Sequence, residues 1–266
     1  MLLTIAGPVG PEFQVNTFTA GYQHDSVVAM NDGGDFVIAW NSLKQEGNGS
    51  EVYAQRYNVA GQAQGGEFRV NTYTQGDQQF QSIAMDADGD FAIAWDSADG
   101  QDGGGTGVYA QRYNAQGVAQ GGEFRVNDIT AGHQSGARIG SDAAGNSVIV
   151  WSDNTGDASG RGIYAKRYSA AGVALGNAFR VDVGSDLSTY SPDVAMDRNG
   201  NFAVSWSNVI KPEIYGRSFD ATGAPTGPVF RADTQAADAL YGHHVFLDSK
   251  GGGVVVWRRN LVLCHT

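Results

Sequence analysis

The apolar residues of this chain occur in short runs that are separated by glycine, aspartate and asparagine. Residues 82–85 and 91–95 are typical, because each run has the length of about four to eight residues expected for a β strand and is bounded by turn-forming residues. No segment places its apolar residues at the spacing of a helical turn. The pattern therefore predicts an all-β protein made of many short strands.

These runs belong to a repeat that fills the chain. The repeat is marked by the five tryptophans, Trp40, Trp95, Trp151, Trp206 and Trp257. They are separated by 55, 56, 55 and 51 residues, and the same neighbours return around each of them. A glycine lies six residues before each tryptophan, and an Asn or Asp lies nine residues before it. A period near fifty residues indicates an array of structural units.

Each unit contains four predicted strands, which we label A to D. In the second unit they cover residues 82–86, 90–97, 107–114 and 123–127. A repeated unit of four antiparallel strands is the blade of a β-propeller. Five units therefore predict a five-bladed β-propeller with a central channel, and the tryptophan of each strand B is predicted to pack between blades.

The two ends of the chain complement each other. The last unit lacks the Phe-x-Val-Asn sequence of strand D, and that sequence occurs instead at residues 13–16, before the first strand A. An N-terminal strand that completes the last blade would close the ring and remove two exposed sheet edges. We therefore predict one domain over residues 1–266. Its repeats cover approximately residues 17–71, 72–127, 128–182, 183–233, and 234–266 together with 1–16.

The most regular parts of the repeat are Ile-Ala-Met-Asp-Ala-Asp-Gly-Asp-Phe at 83–91, Gly-Val-Tyr-Ala-Gln-Arg-Tyr at 107–113 and Gly-Gly-Glu-Phe-Arg-Val-Asn at 121–127. They resemble the propeller-type repeats of large secreted bacterial surface and calcium-associated proteins, over essentially the whole chain. The resemblance implies a secreted or cell-surface location and membership of a larger surface protein. The predicted architecture is also similar to that of five-bladed lectins and hydrolases, which is an analogy of fold only.

The composition narrows the range of partners. The chain has 17 Lys and Arg against 28 Asp and Glu, and its net charge of −11 leaves none of the clustered positive charge that phosphate binding needs. No apolar run has transmembrane length. We therefore predict neither a nucleic-acid partner nor membrane insertion. The single cysteine, Cys264, excludes an internal disulfide.

The loops between strands B and C contain a candidate calcium site. The second of these loops includes Asp99 and Asp102, and Glu46 and Asp157 occupy the place of Asp102 in the neighbouring units. Glycine-rich loops with several carboxylates suit Ca²⁺, which takes oxygen ligands in flexible geometry. We predict Ca²⁺ as the one cofactor. The alternative is solvated loop charge, because no single loop supplies a complete coordination shell.

The starts of the five A strands differ from unit to unit, whereas packing positions repeat. In a closed ring these starts converge at one mouth of the channel, on the face that also carries the longer B to C and D to A loops. Three of the five histidines would gather there with acidic, basic and aromatic side chains. Ligand binding is predicted for His24, Arg138, Tyr190, Tyr241 and His243, and catalysis, if the protein is an enzyme, for Asp25, Asp193 and His244.

These observations leave three functions open. The first is a secreted-type module that binds a carbohydrate or a similar polar small molecule, supported by Ca²⁺. The second is a metal-dependent hydrolase of the lactonase or glycosidase type with its site at the channel mouth. The third is an interaction scaffold without catalysis. Serine hydrolases, zincins and nucleotide enzymes have no local support, because the sequence lacks Gly-x-Ser-x-Gly, His-Glu-x-x-His and phosphate-loop motifs.

Overall fold

A computed structural model shows an architecture of β strands joined by turns and loops. Among the residues that it describes, no helix is long and apolar enough to cross a membrane. The structure describes residues 11–46, 49–98, 100–157, 160–183, 189–208, 211, 213–233, 240–248 and 252–259.

Four blades are four-stranded antiparallel sheets, and the described part of the fifth blade is a two-stranded sheet. The strands of each sheet follow one another in chain order. Blade 1 comprises β1 (Gln23–Met30), β2 (Phe36–Leu43), β3 (Ser50–Tyr57) and β4 (Phe68–Arg69), and blade 2 comprises β5 (Gln78–Met85), β6 (Phe91–Ser97), β7 (Gly107–Tyr113) and β8 (Phe124–Arg125). Blade 3 comprises β9 (Gln134–Ser141), β10 (Ser147–Asp157), β11 (Gly160–Tyr168) and β12 (Phe179–Arg180). Blade 4 comprises β13 (Thr189–Met196), β14 (Phe202–Asn208), β15 (Ile214–Phe219) and β16 (Phe230–Arg231), and blade 5 comprises β17 (Leu240–Leu247) and β18 (Gly253–Arg259).

The A strands of the blades surround a central channel. Each of β1, β5, β9 and β13 contacts the next strand A along the chain. The turns between strands A and B lie on one face of the ring, where an ion pair of 2.6 Å joins Asp32 of blade 1 to Arg198 of blade 4. The starts of the A strands lie at the opposite mouth. The predicted all-β, five-bladed propeller is confirmed.

The turn between strands A and B explains why each unit keeps an acid or amide and a glycine. In blade 2, Asp86 Oδ1 accepts hydrogen bonds from the backbone N–H groups of Asp88 (3.0 Å) and Asp90 (2.9 Å). Gly89 has a φ of 94°, which a residue with a side chain rarely adopts. The glycine therefore permits the tight turn, and the Asp side chain satisfies the backbone donors that the turn exposes.

The core lies between blades, as predicted for the tryptophans. Trp95 of blade 2 is fully buried and packs with Val37 and Ala39 of blade 1 in one apolar cluster. Trp151 and Trp206 join the equivalent clusters of the next two interfaces. A buried indole removes on the order of 200 Å² of mostly apolar surface from water, so these side chains stabilise the ring strongly. Trp257 of blade 5 differs, because 38% of it is exposed.

The N-terminal segment lies against blade 1 in the position of a strand D. The rings of Phe13 and Tyr57 have centroids 5.3 Å apart, the same distance as the rings of Phe68 in β4 and Tyr113 in blade 2. Tyr57 Oη donates a hydrogen bond to the carbonyl of Val15 (3.2 Å). The segment therefore makes the same contacts toward blade 1 that β4 and the residues after it make toward blade 2, as the predicted ring closure requires.

Every strand A contains a β-bulge at the same repeat position. In blade 2 the pairing shifts between Gln79 and Ser82, so two residues of β5 face Trp95 alone. The strand therefore begins at Gln78 instead of the predicted Ser82, because pairing continues beyond the bulge. The first bulged residue always has a positive φ: Asp25 (54°), Phe80 (58°), Gly136 (73°), Ser191 (55°) and Gly242 (53°). A bulge redirects side chains, and two of these five residues, Asp25 and Phe80, line the channel mouth.

Candidate functional site at the channel mouth

The mouth of the channel forms a cavity of about 560 Å³. This volume is within the range of about 300 to 1,000 Å³ that is typical of sites for small molecules. Blades 1 and 2 supply eight of the lining residues, and blades 3 to 5 supply three. The lining residues are Asp25, Ser26, Val27, Val28, Phe80, Gln81, Ser82, Ile83, Arg138, Asp193 and His244.

Asp193 and His244 form the charged side of this cavity at the junction of blades 4 and 5. Asp193 Oδ2 accepts a hydrogen bond from the backbone N–H of Val245 (2.9 Å) and lies 3.4 Å from His244 Nδ1. The carboxylate is 15% exposed, whereas the imidazole is 60% exposed. The backbone hydrogen bond fixes the carboxylate, and the histidine beside it is free to meet a ligand.

Asp25 enters the same cavity from blade 1. Its carboxylate Oδ2 lies 2.9 Å from His24 Nδ1, and the side-chain amide of Gln81 donates to its backbone carbonyl. Arg138 is partly exposed and donates one hydrogen bond to the carbonyl of Ala137 (2.8 Å). The structure thus brings together four of the eight side chains predicted at the mouth, namely Asp25, Arg138, Asp193 and His244.

Of the other four predicted residues, Tyr190, His24 and His243 are not among the residues that line this cavity. His243 is buried between blades 4 and 5, with Nδ1 3.1 Å from Ser207 Oγ, and burial lowers the pKa of its imidazole. Tyr190 is partly buried beside the bulge of β13 and is not one of the lining residues. Tyr241 belongs to β17, and its side chain lies outside the described part of the structure.

His24 lines a second cavity, of about 400 Å³, between the N-terminal segment and blade 1. Trp40 also borders this cavity, and its buried Nε1 has no hydrogen-bond partner among the described residues. The Nε1 atoms of Trp151 and Trp206 lack a described partner too, so this feature recurs between blades and does not single out the second cavity.

Two of the four candidate calcium residues, Glu46 and Asp102, bind protein groups of their own blades. Glu46 Oε2 lies 2.7 Å from Arg69 Nη1. Asp102 accepts hydrogen bonds from the backbone N–H of Gly104 (3.0 Å) and from Asn127 Nδ2 (3.2 Å). Asp99 and the side chain of Asp157 lie outside the described residues. Within the described part of the chain, no group of three or more His, Cys, Asp and Glu side chains is placed to hold a metal ion.

Seven residues that the sequence prediction omitted also line the mouth, and two of them, Phe80 and Gln81, stand side by side at the bulge of β5. Phe80 is 50% exposed at the bulge of β5, and the neighbouring Gln81 is 3% exposed. Gln81 Oε1 is buried without a hydrogen-bond partner among the described residues. The sequence contained a signal for Phe80, because a bulky phenylalanine stands at the repeat position where blades 3 and 5 carry the glycines Gly136 and Gly242.

The sequence matches no known protein family and no curated protein. A protein of unknown function from Dyadobacter fermentans has a TM-score of 0.60 and 12% identity, over 87% of this chain and 74% of its own. The α-L-arabinanase of Penicillium chrysogenum, complexed with arabinobiose, has a TM-score of 0.53 and 14% identity, over 86% and 74%. The endo-arabinase of Bacteroides thetaiotaomicron has a TM-score of 0.51 and 14% identity, over 84% of each chain. Arabinanases of this kind are five-bladed β-propellers, so the likeness establishes the fold.

Proposed function

We propose that this propeller binds a carbohydrate or a similar polar ligand at the channel mouth. The observation that carries the proposal is the composition of the cavity of about 560 Å³, which combines the apolar side chains of Val27, Phe80 and Ile83 with the charged or polar side chains of Asp25, Arg138, Asp193 and His244. A sugar has an apolar face of C–H groups and an edge of hydroxyl groups. Carboxylates, guanidinium and imidazole are strong hydrogen-bond partners for hydroxyl groups.

The anchored carboxylate supports recognition of a ligand. Asp193 is held by the backbone N–H of Val245, so it loses little conformational entropy when a ligand binds. The carboxylate still carries unused acceptor sites, since an ionised carboxylate has about four of them. A preorganised acceptor at a largely buried position binds a hydroxyl group more tightly than a mobile surface side chain does.

Replacing Asp193 by asparagine is expected to weaken saccharide binding by about tenfold or more. Asparagine keeps the shape and can accept from Val245, but it loses the charge-assisted hydrogen bond to a ligand hydroxyl. Calorimetric titration with arabinobiose and with neutral methyl glycosides of pentoses and hexoses measures the change. Asp88→Asn, in an exposed turn on the opposite face, is the control and is expected to bind like the parent. Equal affinity of parent and Asp193→Asn would contradict the proposal, as would a parent that binds none of these sugars.

A second candidate is a glycoside hydrolase, which two carboxylates in one cavity favour. Asp25 and Asp193 both line the mouth, and each has a histidine nitrogen nearby, at 2.9 and 3.4 Å respectively. In such an enzyme one carboxyl group protonates the leaving oxygen and the other activates water or attacks the sugar. Release of new reducing ends from arabinobiose and related disaccharides distinguishes an enzyme from a binding module. A scaffold would show neither binding nor hydrolysis.

A role for Ca²⁺ is a separate proposal that concerns the B to C loop with Asp99 and Asp102. For a dissociation constant of about 0.1 to 1 mM, roughly 10 mM CaCl₂ is expected to raise the free energy of unfolding by about 1 to 3 kcal/mol. Denaturation of the protein in CaCl₂ and in EDTA measures this change. Asp102→Asn should remove the effect, and identical curves in the two buffers would refute it. The predicted secreted or surface location, and membership of a larger surface protein, stay predictions.

A further inference from the structure

We propose that Phe80 is a stacking platform for the apolar face of a sugar ring at the channel mouth, and that it determines which saccharides bind. The inference rests on the proposed function and assigns the ligand class more narrowly, to neutral sugars with one continuous C–H face. Phe80 lines the cavity and is 50% exposed. Ligand pockets are typically lined by hydrophobic and aromatic side chains together with a few polar groups that orient the ligand, and an aromatic ring offers a large apolar surface for stacking.

The backbone at Phe80 shows that the side chain is retained at a cost. Its φ is 58°, in the left-handed region that is unfavourable for a bulky residue. Glycine is unstrained at such angles, and blades 3 and 5 use Gly136 and Gly242 at this position. The fold therefore needs no side chain here. A phenyl group kept in strained geometry at the edge of a cavity points to a role in recognition.

Gln81 holds the backbone of the mouth in place beside Phe80. Its side-chain amide donates to the carbonyl of Asp25, which fixes the amide between blades 1 and 2. Its Oε1 is buried and has no partner among the described residues. The hydrogen bond to Asp25 orders the lining of the cavity beside Phe80 before a ligand binds, which lowers the entropy cost of binding.

The positions of these groups match the two-sided chemistry of a sugar. Phe80 shares the cavity with the apolar side chains of Val27 and Ile83, and Asp25, Arg138, Asp193 and His244 supply charged or polar groups to the same cavity. A sugar ring that places its C–H face on Phe80 directs its hydroxyl edge toward those groups. The equivalent residues in the other blades are not aromatic, and among the described residues that line the cavity Phe80 carries the one phenyl ring.

The test uses Phe80→Gly, which removes the ring and relieves the backbone strain at once. We expect a melting temperature that is unchanged or raised, together with a loss of at least about tenfold in affinity for arabinobiose or the neutral methyl glycoside that binds the parent. Phe80→Tyr should retain the parent affinity. Proton NMR of the sugar should show upfield shifts of its ring protons with the parent and with Phe80→Tyr, but not with Phe80→Gly.

Ser191→Gly is the matched control for the backbone. Ser191 has a φ of 55° at the same position of blade 4, but it is not one of the residues that line the cavity. It should bind sugars like the parent. If Phe80→Gly binds as tightly as the parent while Asp193→Asn does not, the inference about Phe80 is wrong and the proposed function stands. If the parent binds no sugar, both fail.

Discussion

Replacing Trp95 by alanine is expected to lower the free energy of unfolding by about 4 kcal/mol. Trp95 is fully buried between blades 1 and 2, where it packs with Val37, Ala39 and Val52. Its Nε1 donates a hydrogen bond to Gln78 Oε1 (3.0 Å), so the variant also leaves that buried acceptor without its donor. Chemical denaturation of the parent and the variant, followed by intrinsic fluorescence or circular dichroism, measures the loss.

Trp257→Ala is the matched control, because it removes the same side chain from the same repeat position. Trp257 is 38% exposed, so its replacement is expected to cost about 1 to 2 kcal/mol. Equal losses in the two variants would show that blade 5 packs as tightly as blade 2. A loss below about 2 kcal/mol for Trp95→Ala would show that the tryptophans do not form the core between blades.

The second large effect is expected at Asp96, which connects blade 2 to the bulge of β9. Its two carboxylate oxygens accept hydrogen bonds from the backbone N–H groups of Gly136 (2.7 Å) and Ala137 (3.1 Å). Alanine at this position leaves two buried donors unsatisfied, so Asp96→Ala should lower the free energy of unfolding by about 3 kcal/mol at pH 5. Denaturation at that pH measures the loss, and Asp88→Ala in an exposed turn should change stability by less than about 0.5 kcal/mol.

The loss at Asp96 should depend on pH. Burial raises the pKa of this carboxyl group to about 7 from its ordinary value of 3.8, although its two backbone hydrogen bonds oppose the shift. The folded state therefore binds the proton more tightly than the unfolded state does. The stabilisation that the Asp96 carboxyl group contributes is complete below pH 3.8 and is lost as the pH rises through about 7. Asp96→Ala should consequently cost less at pH 8 than at pH 5. An equal or larger loss of stability at pH 8 would mean that the two hydrogen bonds outweigh burial, and that the Asp96 carboxyl group of the folded protein is already ionised at pH 5.

The candidate site could be predicted in part. The variable starts of the A strands identified Asp25, Arg138, Asp193 and His244, because a ring of repeated blades must bring equivalent positions to the same mouth. The sequence did not separate His244, which lines the cavity, from its neighbour His243, which is buried against Ser207. Adjacent residues of a strand face opposite ways, and only the packed neighbours decide which of them meets the channel.

The bulge was the feature that the sequence concealed. In every blade the bulge of strand A lies opposite the tryptophan of strand B. This relation becomes visible only when the two strands are paired. A strand with a bulge has the same composition as a regular strand, and local patterns do not register the extra residue. For this reason Phe80 and Gln81 were missing from the predicted site, although Phe80 stands at a position where two blades carry glycine.

The sequence by itself determined the all-β class, the five repeated units, the turns between strands A and B, and the burial of four of the five tryptophans. These features are local or repeated, so the period of apolar residues and the recurrence of Gly and Asp are enough to encode them. The tertiary structure alone decided which side chains share the cavity, which are held by a neighbouring blade, and which acceptors are left open. Those properties depend on contacts between residues about fifty positions apart, and such contacts exist only once the blades have packed around the channel.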